Sequence, residues 1–418
     1  MQLNGLFKTR ELFFAVLFFL IVNQSFFNFA FENVGFDYWK QIIAPVFLVL
    51  IFFAVKLKKG LLRETHVIIL PFFFLYAFLA YGFFAFLWED VSFTWFFYRA
   101  IGFIWFIIPL LLMMYAKKKV EVFKVVSYIC LFIGFGVIAD AFVDFWDVFK
   151  SVEVDASSGV AEGVVAKRSD FFVGSSSNLF VILSLPLVFY LSDIPVFKRG
   201  MLVFYILVSI FAIYLSGSRL SLILFISLVS FGYLFHYKKI ASKLFFACLS
   251  ITCLVLVVLF VHEQLSELRV FQVLDPSDPG NRGRLRYYFW FFSNYQDFSE
   301  VEAFFGHGIG YLLTESNAYP SIHFESSLIS MLIEVGVFGS FLFYLVFFLY
   351  LACFSSAKIA RLWFLFLFLT TVFVPAFLSY QIMFCMGLVF SLKIVKGDVQ
   401  SEVTSSIAAQ AIVQRSGG

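Results

Sequence analysis

The 418-residue chain is 62% hydrophobic and 14% charged, with a mean hydropathy of +0.96 and a formal net charge of +3. Soluble domains carry roughly 45–50% apolar and about 25% charged residues, so this composition excludes a soluble globular enzyme and points to an all-α polytopic membrane protein. The net charge says little as a total, and no nucleic-acid partner is expected; the 65 phenylalanines suit lipid packing and carry no function by themselves.

A span needs about 20 apolar residues, and about 12 runs qualify in chain order. The first six are 12–29, 42–57, 67–88, 93–115, 123–143 and about 171–191. The other six are 201–215, 220–235, 244–261, 328–354, 362–378 and 380–392. The first run lacks a small-residue cleavage site behind it, so it reads as a retained span. Basic residues sort the gaps. Lys8 and Arg10 precede the first span, and Lys393 and Lys396 follow the last. Every even-numbered gap is basic, for example Lys117–Lys119, Lys198–Arg199 and Lys238–Lys239. The first odd gaps carry Glu32 and Asp37, then Glu89 and Asp90. The positive-inside rule then predicts cytoplasmic N and C termini. Residues 1–396 form one transmembrane domain in this reading, and 397–418 a disordered cytoplasmic tail.

Two long loops fall outside, about 144–170 and 262–327, the second between spans nine and ten. Connections of that length favour a functional role. The second loop holds Arg282, Arg284, Arg286, His307 and His323, with Glu325 just before the next apolar helix. Arg168 leads into Gly174 and Asn178 at the start of span six, and Arg219 follows Ser218 at the start of span eight. Outer arginines run against positive-inside bias, and their planar forks fit phosphate oxygens bidentately. Convergent arginines at the outer surface suit a pyrophosphate headgroup. The bland alternatives are a solvated loop charge for any of Arg282, Arg284 and Arg286, and a pairing of Arg99 with Asp140.

A general base is the second requirement. Glu325 is placed first and His323 second, with His307 third; a capping role for Glu325 is the bland alternative. Glu334 reads as an intramembrane structural acid, and Gly336 and Gly339 as sites of close helix packing. No HExxH, D-x-D, paired-cysteine or phosphate-loop pattern occurs. Hence no metal and no cofactor is expected, and an activated sugar donor would be lipid-linked rather than a nucleotide sugar.

These elements, in this order, resemble the superfamily of O-antigen polymerases and O-antigen ligases (Wzy-type and WaaL-type membrane glycosyltransferases). The resemblance runs through Arg168, Gly174 and Asn178, then Ser218-Arg219, then Gly283-Arg284 with aromatics ending at Trp290. It continues in Gly306-His307-Gly308-Ile309-Gly310 and closes in Glu325-Ser326, nine residues, then Gly336-Val337-Phe338-Gly339. The ligases typically place His first in the final polar pair. This chain has Glu325 there, with His323 two residues earlier, which favours a polymerase.

The resemblance implies a GT-C-like architecture in the bacterial inner membrane with a periplasmic active face. The substrate would be an undecaprenyl-pyrophosphate-linked oligosaccharide, polymerised by metal-independent inverting transfer. Glu325 and His323 would be catalytic; Arg168, Arg219, Arg282, Arg284, Arg286, His307 and Asn178 would bind substrate. A chain-length regulator is a further expected partner, beside membrane lipid. The alternatives are a ligase acting on lipid A–core and, in another class, a lipid-linked oligosaccharide flippase. A flippase would show internal repeats and charges deep in several spans, whereas the charged candidates here gather at one face and in one loop.

Overall fold

The computed structural model describes residues 9–23, 102, 104–113, 116, 119–143, 176–216, 219–236, 291–308, 311, 327–354, 362, 365–371 and 381–392. Its helices include α1 (Thr9–Val22), α2 (Ile104–Met113), α3 (Lys119–Val143), α4 (Ser176–Leu191) and α5 (Arg199–Leu215). They continue as α6 (Arg219–His236), α7 (Glu300–Phe305), α8 (Ser327–Glu334), α9 (Gly336–Phe354) and α10 (Gln381–Leu392). No strand occurs among the described residues. The runs 42–57, 67–88 and 244–261 lie outside them, as do the whole of the 144–170 loop and the 397–418 tail.

The apolar runs become helices with ends close to those expected. The 123–143 run is α3, the 201–215 run is α5, and the 220–235 run is α6. In such runs the backbone must satisfy its own hydrogen bonds, which in lipid leaves the helix as the available form. α3 is long and apolar enough over Lys119–Phe142 to cross a membrane. α9 adds 19 residues without one charge. Among the described residues the structure is all-helical, consistent with a membrane protein.

α4 is the central helix. From Leu179 to Phe189 all its apolar side chains are buried, against α3, α5 and α6. Phe123 of α3 meets Phe189 edge-on at 4.6 Å, and the buried Tyr205 hydroxyl of α5 donates to the Leu183 carbonyl at 2.7 Å. That bond falls in the turn preceding Pro186, where the α4 backbone loses a donor. Relative directions follow from the contacts. Tyr128 touches Phe197 and Phe135 touches Phe204, so α3 and α5 run parallel. Phe123 pairs with Phe189 while Gly134 faces Leu183, so α3 and α4 run antiparallel. Spans five, six and seven thus alternate among themselves.

The first and last described helices meet. Phe14 and Phe18 of α1 and Trp105 of α2 surround Phe384 of α10. The stretch expected as one span at 328–354 is two helices. α8 ends at Glu334, Val335 is a turn, and α9 begins at Gly336, whose φ of +65° is left-handed. A periodicity argument sees one apolar run here because the break costs no apolar residue.

Candidate active site

The site residues divide sharply. Arg168, Arg282, Arg284, Arg286, His323 and Glu325 lie outside the described residues. Arg219 is the first residue of α6. Asn178 and His307 are described in full, and they lie in two different settings.

Asn178 is buried in the first turns of α4. Its Nδ2 donates to Oε1 of Gln381, 203 positions away at the start of α10. Gln381 Nε2 in turn donates to the Val22 carbonyl at 2.8 Å, where α1 ends. Two amides therefore join the end of α1 to the starts of α4 and α10. A helix end leaves carbonyls without intrahelical partners, and the Gln381 amide supplies one of them. Gln381→Leu removes that donor while keeping bulk, leaving both the Val22 carbonyl and the Asn178 amide to find new partners. Stranding a buried polar group costs roughly 1–3 kcal/mol. A lowered unfolding temperature in detergent is therefore expected for Gln381→Leu, with partial recovery in the Asn178→Leu/Gln381→Leu double variant. An unchanged melting curve for the single variant would show that the pair holds nothing.

His307 belongs to the 262–327 loop. There α7 starts with a reciprocal cap: the Ser299 amide donates to Glu302 Oε2 at 2.7 Å, and the Glu302 amide to Ser299 Oγ at 3.3 Å. This Ser-x-x-Glu box fixes where the helix begins. The Ser299 hydrogen bonds hold the Glu302 carboxyl below its usual range. Gly306, with φ +79°, ends the six-residue helix, and its amide donates to the Glu302 carbonyl. The chain then crosses the α8–α9 break. The His307 amide donates to the Ile333 carbonyl at 2.9 Å, and the Gly308 amide to the Glu334 carbonyl at 2.9 Å. The break at Gly336 frees these last carbonyls of α8 from helical bonding, and the glycine-rich element occupies them.

Two glycines make this approach possible. A Cβ on Gly306 would stand 2.5 Å from the Val335 and Gly336 amide nitrogens, and one on Gly336 would fall on the Phe304 carbonyl. Gly336 thus serves close approach as expected, but to the backbone of the loop element rather than to a neighbouring span.

The His307 imidazole is buried. It stacks on Tyr311 at 4.3 Å with 15° between planes, and meets Phe298 edge-on at 4.6 Å. Its Nδ1 lies 3.9 Å from Glu302 Oε1, an ion-pair distance if the ring is protonated and too long for a hydrogen bond. Phe291, Ile329 and Ile333 form a small separate core here, with Tyr295, Tyr311 and Leu332 packed on it. Burial raises the Tyr295 hydroxyl above its usual range, and that hydroxyl donates to the Ala303 carbonyl at 3.2 Å. The loop element is therefore folded onto α8 and α9 as an arm. Glu334 is buried at the same junction.

The glycine-rich element and the Gly-x-x-Gly helix start, separate in sequence, are one structural unit. Residues 204–344 match the O-antigen ligase family model. The O-antigen ligase match begins within α5, takes in Arg219, the whole second outer loop and the Gly306–Gly336 junction, and ends in α9. Arg168 and Asn178 precede it. It covers a minority of the chain, supports a place in the O-antigen ligase and polymerase superfamily, and does not separate the two activities. No curated protein gives a significant match. Among the described residues no group of three or more His, Cys, Asp or Glu could hold a metal ion.

Sequence reasoning missed the Gln381 partner and the capping box. The box was visible as Ser299-Glu300-Val301-Glu302; Gln381 carried no local signal.

Proposed function

We propose that the chain polymerises undecaprenyl-pyrophosphate-linked oligosaccharide repeat units on the outer face of the bacterial inner membrane, as part of surface-polysaccharide assembly. The carrying observation is the match over 204–344, which contains every candidate residue of the large loop together with Arg219. Pyrophosphate is already a good leaving group. The chain need supply only cationic stabilisation as charge develops on it and a base for the acceptor hydroxyl. In this reading Arg219, Arg284, Arg282, Arg286 and Arg168 serve the diphosphate. Glu325 or His323 takes the acceptor proton, a single displacement inverts the anomeric centre, and a chain-length regulator is a partner.

His307 fits a holding role better than a base. A base must reach its proton within hydrogen-bond distance or through one water, and this ring is enclosed by Tyr311, Phe298 and Glu302. Asn178, bonded to Gln381, fits a positioning role for the start of α4. Glu325 in place of the ligase histidine favours polymerase over ligase.

A gel of surface polysaccharide from a deletion strain tests the reading. Core carrying one repeat unit and no ladder is the expected result. Polymer retained on the lipid carrier with bare core would mean a ligase, and an unchanged ladder would remove O-antigen as the product. Complementation with Glu325→Gln, which keeps shape and loses charge, is expected to leave only the single repeat; a full ladder would exclude Glu325 as the base.

A further inference from the structure

α7 has a second face that the loop arm does not use. Val301, Phe304 and Phe305 are 59%, 47% and 43% exposed. They lie at i, i+3 and i+4, so they form one stripe on one side of the helix. Glu302 lies off the stripe and belongs to the cap and to His307. These side chains stand apart from the small core of Phe291, Ile329 and Ile333 and stay exposed although two of them reach α9.

The stripe has a defined neighbour. Phe304 stacks on Phe338 of α9 at 5.4 Å with 22° between planes, and Phe305 meets Phe338 edge-on at 6.0 Å. Phe338 is the third residue of α9, a helix without a charged side chain. From there the exposed apolar surface continues down α9 through Val337 and Phe341. An uncharged helix of that length turns such a surface to lipid. The α7 stripe is thus continuous with the exposed apolar surface of α9, level with its first turn.

We propose that Val301, Phe304 and Phe305 form a membrane-docking surface, seated at the boundary between headgroups and acyl chains beside α9. The partner is bilayer phospholipid, engaged by its acyl region. Contiguous apolar surface at this level inserts by burial of area, and aromatic side chains favour this depth. Charge does not drive it, because the first turn of α7 is acidic and its last turn has no basic residue. The docked stripe holds one side of the arm to the bilayer while the Gly306–Gly336 contact holds the other to protein. The height of the loop above the membrane is set by both. This surface requires membrane insertion of the chain and is independent of which sugar transfer it performs.

The test places a fluorescent amino acid, dansylalanine, at Phe305 of the full chain in vesicles of phosphatidylethanolamine and phosphatidylglycerol. Val301 and Glu300 are labelled in separate samples. Brominated acyl chains should quench positions 305 and 301 severalfold more than aqueous iodide does, and Glu300 should show the reverse. Raising the salt concentration should leave the pattern unchanged. Iodide quenching at both 305 and 301 would mean a solvated helix and would overturn the proposal. Quenching by neither would mean cover by protein, a second copy or a partner, and would overturn it equally. If the label at 305 prevents insertion, the pair 301 and 300 decides alone. None of these readouts uses glycan transfer, so failure here and failure of the polymerase reading are distinguishable.

Discussion

Gly306→Ala and Gly336→Ala are each expected to undock the loop arm from the α8–α9 junction and to abolish the polysaccharide ladder. Both residues have left-handed backbone, φ +79° and +65°, which costs an L-residue roughly 1–2 kcal/mol. The new methyl also meets main chain, the Val335 and Gly336 nitrogens in one case and the Phe304 carbonyl in the other. No side-chain rotation relieves a clash with main chain, so the two segments must separate. Separation breaks the His307–Ile333 and Gly308–Glu334 backbone bonds, each contributing about 1 kcal/mol net. The strain alone, roughly 1–2 kcal/mol, lowers the docked population about five- to thirtyfold, and the main-chain clash adds to it. Hydrogen exchange on the full chain in nanodiscs reads this directly as lost protection of the His307 and Gly308 amides. Gly200→Ala is the control. A Cβ there meets nothing within 4 Å, and α5 should tolerate or slightly favour it. Retained protection together with a normal ladder in both clamp variants would show that the junction is not what holds the loop.

Much of the framework was legible because lipid imposes a simple code. Apolar runs must become helices, so α3, α5 and α6 begin and end within a few residues of the runs that announced them. In the loop, the glycine-rich element was legible by residue type. What could not be read was which distant groups would meet. Asn178 and Gln381 are 203 positions apart, and each alone is an ordinary polar residue at a helix start. Gly336 gave a glycine signal without a conformation. Its left-handed backbone serves a tertiary contact with Gly306, and an apolar pattern continuing on both sides hides the break. His307 read as a candidate for chemistry because imidazole titrates near neutrality. Its burial between Tyr311 and Phe298 depends on residues four later and nine earlier, arranged by a loop that periodicity does not describe.

Arg219→Ala is expected to abolish polymer while leaving the chain inserted and the loop arm docked. Arg219 opens α6 directly after the turn that ends α5. A cation there opposes the helix dipole, which favours negative charge at this end by roughly 0.3–1 kcal/mol, and the first turn of α6 contains no acidic residue. A helix N-terminus and a guanidinium both bind phosphate oxygens, so this is a position from which Arg219 is expected to serve an anion. Loss of one donor to a developing oxyanion typically lowers turnover by about 10²–10³, enough to erase a ladder built by repeated transfers. Arg219→Lys keeps charge and loses the bidentate fork, so shortened chains are expected rather than none. Arg284→Ala should reproduce the alanine phenotype if both arginines serve one diphosphate. The decisive comparison is with the glycine variants. Both classes lose polymer, but only the glycine variants should lose amide protection at His307 and Gly308. Full-length ladder from Arg219→Ala would eliminate the diphosphate role for this residue, and lost protection in that variant would reduce it to a structural one.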